Sequence, residues 1–424
     1  MNYKEFFNKA KEKGITNIQI TEKENHGSSS KTLNGELDYL NNFDNTSYEI
    51  KAEYNKKTVK LNSNYLAEDI LDLLIMKSTS TDSSYEDEYL EKDQNIKKEK
   101  GIDIDTSKEI KIIKELDKLR NNYKKISALE VYFYEQYQNI RIINSKGVDI
   151  STNSHLSTFA VETVVKDKET TSFGKEILTT NKKDINFEEF TKDVIEKAVI
   201  QNNKEKLECR KYNVILDNDV AGRIISHLGT MLAGDAIRNK VSCLGDKLDK
   251  KVFSDKLTIV QEPTNKKYPG YRLFDDEGTK TSDITIIDKG KVKTYLYNIK
   301  EAKIKGIKST GNGYGGIATR NMYAKPGNVN IEELLKELDN GIYITDFMGS
   351  MSSAINIVNG QISLQVFGFI VRDGKIIKGF EPAIMTTTIF ELLSNIETIG
   401  NDLVFTNTNC ASPSILIKDI SIAS

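Results

Sequence analysis

Residues 212–245 read YNVILDNDVAGRIISHLGTMLAGDAIRNKVSCLG, and the second half of the chain is organised around them. Val214 to Leu216 is a short apolar run with the character of a strand. Asp217, Asn218 and Asp219 follow with side chains suited to capping a helix N-terminus. Val220, Ile224, Leu228, Met231 and Leu232 recur at spacings of three and four, which predicts one apolar helix face. Gly229 and Gly234 are unusual there, because each costs about 1 kcal/mol relative to Ala inside a helix. Their presence predicts a second backbone passing close by. The helix carries one histidine, His227. A helical zinc site needs two histidines one turn apart and usually a glutamate, so His227 is expected as a hydrogen-bonded core or interface residue.

Composition narrows the class of protein. The chain has 424 residues, enough for two or three domains. Lys plus Arg number 60 against 62 Asp plus Glu, so no net field draws the chain to nucleic acid or an anionic membrane. No apolar run reaches the roughly 18 residues a membrane span requires. The N-terminal MNYKEFFNKAKEKG lacks a signal-peptide apolar core and reads as an amphipathic helix, so a cytoplasmic location is expected. Cys209, Cys243 and Cys410 are too few for a disulfide framework and form no C-x-x-C pair. His26, His155 and His227 are far apart in sequence.

Outward from the central stretch, the first half alternates between strand and helix signals. Residues 2–13 predict a helix and Asn17–Glu22 a strand. The segments ELDYLNNF, SYEIKAEY and KTVKLN predict antiparallel strands, and Tyr65–Met76 a helix packed on them. Residues 78–105 are polar and predict a mobile surface segment. Residues 106–125 predict an amphipathic helix, 128–180 about four strands, and 186–201 a further helix. The polar run NNKEKLECRK at 202–211 marks a domain boundary. The expected fold class is α+β, with an N-terminal domain over 1–205 and a C-terminal domain over 206–424. The first is an antiparallel sheet with helices. The second is a strongly curved, barrel-like antiparallel β domain with helices.

Two motifs in the second half carry polar side chains at close spacing. Asp275, Asp276 and Glu277 precede Gly278. Such a cluster could hold a hard cation, but a turn whose carboxylates cap backbone N–H groups and pair with Arg272 is the favoured expectation. The Gly-rich loop STGNGYGG at 309–316 does not match a phosphate-loop pattern, so its glycines predict tight backbone geometry.

Taken in order, FDDEG at 274–278, STGN at 309–312, GIYITDFMG at 341–349, NIVNGQISLQVFGFIVRDGKI at 356–376, IGNDL at 399–403 and SPSILI at 412–417 resemble the TldD/PmbA family, part of which is known as modulators of DNA gyrase. The turn NSKGVDIS at 144–151 extends the resemblance, less specifically, to the first half. In TldD-type subunits the central helix carries H-E-x-x-x-H, and a later Cys completes a zinc site that cleaves peptides. Aligned on Gly234-Asp235, that motif falls on Ile225 to Thr230. Ile225, Ser226 and Thr230 replace its two His and its Glu, while His227 coincides with no ligand and Cys410 lies near the family Cys. The resemblance therefore implies a PmbA- or TldE-type subunit without a metal of its own and without catalytic residues, zinc being expected only in a TldD-type partner. It implies that partner, peptide substrates, and self-association as a homodimer when the chain is alone. It also marks Arg272, Asp276, Glu277, Ser309, Thr310 and Gly311, with His227, as chamber or structural positions. The alternatives are a stand-alone binding or regulatory protein of the gyrase-modulator kind, and a hydrolase with an unrecognised non-zinc site.

Overall fold

The computed structural model describes residues 1–80, 113–116, 118–167, 170–180, 186–348 and 355–424. Nearly all of the polar segment predicted to be mobile, and the start of the helix predicted over 106–125, lie outside the described residues.

One antiparallel sheet dominates the first half. Its strands are β1 (Asn17–Leu33), β2 (Glu36–Tyr54), β3 (Lys57–Ser63), β4 (Ile126–Asn144), β5 (Asp149–Asp167) and β6 (Thr170–Thr180), in the order β3-β2-β1-β4-β5-β6. The sheet curls into a half-barrel. The strands are fewer and longer than alternation alone predicts. ELDYLNNF and SYEIKAEY form one continuous strand, because β1 pairs with β2 from Asn17↔Glu53 to Leu33↔Glu36 and holds the polar stretch between them extended. Gly27 marks a close crossing, since a Cβ there would lie 2.1 Å from the Glu135 carbonyl oxygen and 2.4 Å from the Phe43 ring. Phe43 instead stacks on Tyr134 at 5.7 Å across the bare glycine.

Helices cover the sheet where its strands turn apolar residues outward. Tyr3–Glu12 and Glu68–Thr79 bury Phe6, Ala10, Leu71 and Leu74 against Ile18, Ile20 and Ile50. Phe187–Gln201 buries Val194 and Ile195 against Leu129, Val131, Phe159 and Val161. Asn186 caps that last helix by accepting the Glu189 amide hydrogen at 3.1 Å.

In the second half five strands close into a barrel. Arg210–Leu216 pairs with Gly341–Met348 on one side and with Ile415–Ala423 on the other. Ala383–Thr388 joins Ile415–Ala423 to Gln361–Arg372, and Gln361–Arg372 returns to Gly341–Met348. Closure removes exposed edges. Outside the barrel Met322–Tyr323 run parallel to Cys410–Ala411 and Gly379–Phe380 to Lys204–Glu205. Within it one pair departs from the all-antiparallel expectation, Ile342–Ile344 running parallel to Val214–Leu216. The chain between them makes a long excursion and re-enters from the opposite end.

That excursion and the chain end build a second sheet of short strands. Its order is Lys291–Val292, Ile284–Asp288, Ile259–Gln261, Met322–Ala324, Cys410–Ser412 and Val404–Phe405. The helix Asn218–Met231 packs between this sheet and the barrel, which explains its burial on nearly every side. Val220, Ile224, Leu228 and Met231 are buried as the spacing predicts, and so are Ala221 and Ile225. No helix among the described residues is long and apolar enough to cross a membrane.

Candidate functional site

The central helix begins at Asp217, whose Oδ1 accepts the Asp219 amide hydrogen at 3.1 Å. Its other oxygen accepts the Tyr343 hydroxyl hydrogen at 2.5 Å, tying the helix start to a barrel strand. Three turns on, the predicted close approaches are real: side chains crowd both glycines, and a backbone passes as expected at Gly234. A Cβ at Gly229 would lie 3.0 Å from the Thr319 side chain, and one at Gly234 would lie 2.6 Å from the Tyr297 ring. Backbone passes close at Gly234, where an added Cβ would lie 3.2 Å from the Leu296 carbonyl oxygen, and also at Gly222, where it would lie 3.3 Å from Ser412 N.

The side chains at the family metal positions do not form a donor set. Ile225 is 1% exposed and belongs to the same apolar cluster as Cys410. The Ser226 hydroxyl is turned back onto the Arg223 carbonyl at 2.6 Å, and Thr230 is exposed. Burial among apolar groups pushes the Cys410 thiol far above its ordinary range, and it joins no group of metal donors among the described residues. Among the described residues no three His, Cys, Asp or Glu side chains are grouped to hold a metal ion. A tetrahedral zinc does not fit this donor chemistry.

His227 is buried, as expected, but among the described residues its Nε2 has no hydrogen-bond partner, unlike the hydrogen-bonded residue the sequence suggests. Burial lowers its pKa, disfavouring the charged ring.

The marked residues of the second half come together in one knot. Asp275 Oδ1 accepts the amide hydrogens of Glu277 and Thr279 at 3.0 and 2.8 Å, and Oδ2 accepts that of Gly313 at 2.8 Å. Burial pushes the Asp275 carboxyl up to about 7 against these three donors. Arg272 is 4% exposed and donates to the Phe274 carbonyl at 3.2 Å and to Asp276 Oδ1 at 2.8 Å. Glu277 Oε2 accepts the Ile299 amide hydrogen at 2.7 Å. The capping is thus done mainly by Asp275, and Asp276 is the ion-pair member. Ser309 donates to the Tyr297 carbonyl at 2.9 Å, and Thr310 Oγ1 accepts the Tyr297 amide hydrogen at 2.8 Å. Gly311 has φ +74°, and a Cβ there would lie 2.9 Å from the Lys280 carbonyl oxygen.

Two groupings have no signature in sequence. At the junction of the N-terminal sheet and the barrel, Lys197 Nζ lies 2.5 Å from Glu176 and 2.7 Å from Asp193, and its charge also acts on buried Asp217. One ammonium faces three carboxylates. Burial, opposed by Lys197, leaves Glu176 raised to about 7. On the sheet, His155 Nε2 lies 2.7 Å from Glu135 Oε1 and 3.5 Å from Ser157 Oγ, with Tyr137 stacked at 4.1 Å. Both oxygens address the same ring nitrogen. A nucleophile relay needs one partner on each nitrogen, so this is not a hydrolase triad.

A closed five-stranded barrel beside a short-stranded sheet, with a buried helix between them and a carboxylate-stapled glycine loop, defines the metallopeptidase-related class that the comparisons identify. The PmbA/TldA metallopeptidase C-terminal domain matches residues 209–424, and the central domain of the same proteins matches residues 99–202. The chain belongs to the PmbA/TldD family.

Curated relatives include the metalloprotease PmbA of Escherichia coli O157:H7, 32% identical over 231 residues, which are 54% of this chain and 50% of that protein. The PmbA homologue of Buchnera aphidicola from Acyrthosiphon pisum is 31% identical over 227 residues, covering 54% of this chain and 49% of its own length. The chain thus spans about half the length of the curated relatives it matches. Among solved structures, a Thermotoga maritima protein described as a modulator of a DNA gyrase superposes with a TM-score of 0.89 at 24% identity over 100% of both chains. TldE from Thermococcus kodakarensis gives 0.89 at 17% identity over 99% of both. These two likenesses establish the fold.

Proposed function

We propose that this chain is a non-catalytic, TldE-like subunit of a two-component zinc peptidase that processes unfolded peptides, with the zinc held by a TldD-type partner. One observation carries the proposal. The helix that would present the metal ligands turns Ile225 into an apolar core and leaves Thr230 exposed, opposite a buried thiol. Among the described residues these positions offer packing groups and no grouped metal donors, which supports a subunit without a zinc of its own. The chain's work is then to wall a chamber and hold an extended substrate. The likeness to a protein named TldE supports the assignment to this subunit type.

Without its partner the chain is expected to form a homodimer, because an obligate interface of more than about 2,000 Å² is unfavourable to leave wet. Co-expression with an H-E-x-x-x-H-bearing relative tests the proposal. Co-purification, with peptide cleavage by the pair and by neither chain alone, supports it. Cleavage by the isolated chain overturns it. Recovery with gyrase instead would favour the regulatory reading, which the modulator descriptions of solved relatives keep in view.

A further inference from the structure

We propose that Arg320, with Tyr314 beside it, forms a binding site for a carboxylate carried by a peptide. The peptide part of the proposal rests on the chamber function above.

The loop from Ser309 to Arg320 is tightly tethered. Asn312 Nδ2 donates to Gln261 Oε1 at 2.8 Å and to the Ala318 carbonyl at 2.7 Å, and Arg320 N donates to the same Gln261 oxygen at 3.3 Å. This geometry places two guanidinium groups around one ring, with the Cζ atoms of Arg320 and Arg272 at 5.0 and 5.6 Å from the Tyr314 centroid. The two arginines differ in their partners. Arg272 has both a carbonyl and the Asp276 carboxylate. Arg320 donates from one terminal nitrogen to Thr408 Oγ1 at 2.6 Å, and no carboxylate among the described residues lies within ion-pairing distance of it. Its Nε is buried and has no hydrogen-bond partner among the described residues, and the Tyr314 hydroxyl is in the same state.

The nearby acids are engaged elsewhere: both Asp275 oxygens are taken by amides, Asp276 Oδ1 by Arg272, and Glu277 Oε2 by Ile299 N, while Asp276 acts on Arg320 only through its charge. An arginine cannot escape by losing its proton. An unmatched guanidinium Nε beside an unmatched phenol hydroxyl is complementary to the oxygens of an anion. Burial and the neighbouring Arg272 charge push the Arg320 pKa down, so a bound anion would restore what the site lacks.

The location fits a substrate group. Thr319 donates to the Asn409 carbonyl at 3.3 Å and packs at Gly229 of the central helix, so Arg320 stands beside the helix and the loop leading to Cys410. The carboxylate could be a peptide C-terminus or an Asp or Glu side chain.

Isothermal titration of the full chain with three N-acetylated hexapeptides separates these sources: one with a free C-terminus, one amidated, and one amidated with an internal Glu. The expected result is that one or both carboxylate-bearing peptides bind about tenfold or more tighter than the neutral one. Arg320→Gln is expected to remove that preference, and Arg320→Lys to retain part of it. N-acetylalanine, followed by saturation-transfer NMR on wild type and Arg320→Gln, probes the carboxylate site without a peptide. Peptide binding with no carboxylate preference, or a preference that survives Arg320→Gln in a folded variant, overturns the site and leaves the chamber function standing. Arg320-dependent binding of N-acetylalanine without binding of any peptide upholds the site and removes the chamber function. Binding of none of the probes overturns the carboxylate site.

Discussion

The Asp275 carboxylate accepts the Gly313 amide hydrogen at 2.8 Å, joining two loops 38 residues apart in sequence. The same side chain closes its own turn through the amides of Glu277 and Thr279. One buried anion therefore fixes both the FDDEG turn and the glycine loop that carries Tyr314 towards Arg320.

Asp275→Ala should lower stability by about 3 kcal/mol, since it leaves one buried and two part-buried N–H donors unpaired at about 1–3 kcal/mol each when fully buried. Asp276→Ala should cost less, about 1–3 kcal/mol, because its carboxylate is partly solvated although Arg272 is not. Urea unfolding with and without calcium or magnesium checks both. The order Asp275 above Asp276, unchanged by metal, is the expected outcome. A loss seen only with divalent metal present would point to a cation site.

Glu176 titrates near 7 in the folded chain, above its ordinary 4.5. The folded state therefore binds its proton more tightly than the unfolded state does. Its contribution to stability is fully present below about pH 4.5 and is lost as pH rises through about 7. Asp275, raised from 3.8 to about 7, acts with the same sign. The difference in urea midpoint between wild type and Glu176→Gln, followed from pH 4.5 to 7.5, should move steadily against wild type. A flat difference would show that Lys197 holds Glu176 ionised throughout.

Ile225→His should destabilise the chain by about 2–4 kcal/mol, because it replaces a core side chain with a polar ring that has no partner. Adding Ser226→Glu and Thr230→His should not restore stability when zinc is supplied, since position 225 is buried in the apolar core while position 230 is exposed, which does not assemble one donor set. Thermal unfolding with zinc and with chelator gives the readout. A zinc-dependent recovery of several degrees would contradict the account of the site.

The purified wild-type chain should carry far less than one zinc per molecule. Elemental analysis after gel filtration checks this, and a tightly held equivalent of zinc would refute the non-catalytic assignment.

Gly270→Ala should destabilise by about 2 kcal/mol or more, as its Cβ would meet the Thr408 carbonyl oxygen at 2.2 Å, backbone that cannot swing aside. The loop 407–410 beside Cys410 should loosen with it, which hydrogen exchange at Asn409 and Cys410 would report.

The sequence by itself determined the local elements and the α+β class. The cap at Asp217, the 3.6-residue spacing from Val220 to Met231 and the alternation along β4 and β5 are properties of neighbouring residues, and each survives in the fold. It also supplied the motifs by which the family is recognised. Tertiary structure alone decided that Ile342–Ile344 lie parallel to Val214–Leu216, that Tyr343 meets Asp217, and that Lys197 sits among three carboxylates. It alone decided that Arg320 bonds Thr408, 88 residues away, and has no carboxylate among the described residues. The physical reason is that a period in sequence records which face of a strand or helix is buried. A charged side chain's partner depends on which distant backbone closes over it, and no spacing along the chain encodes that.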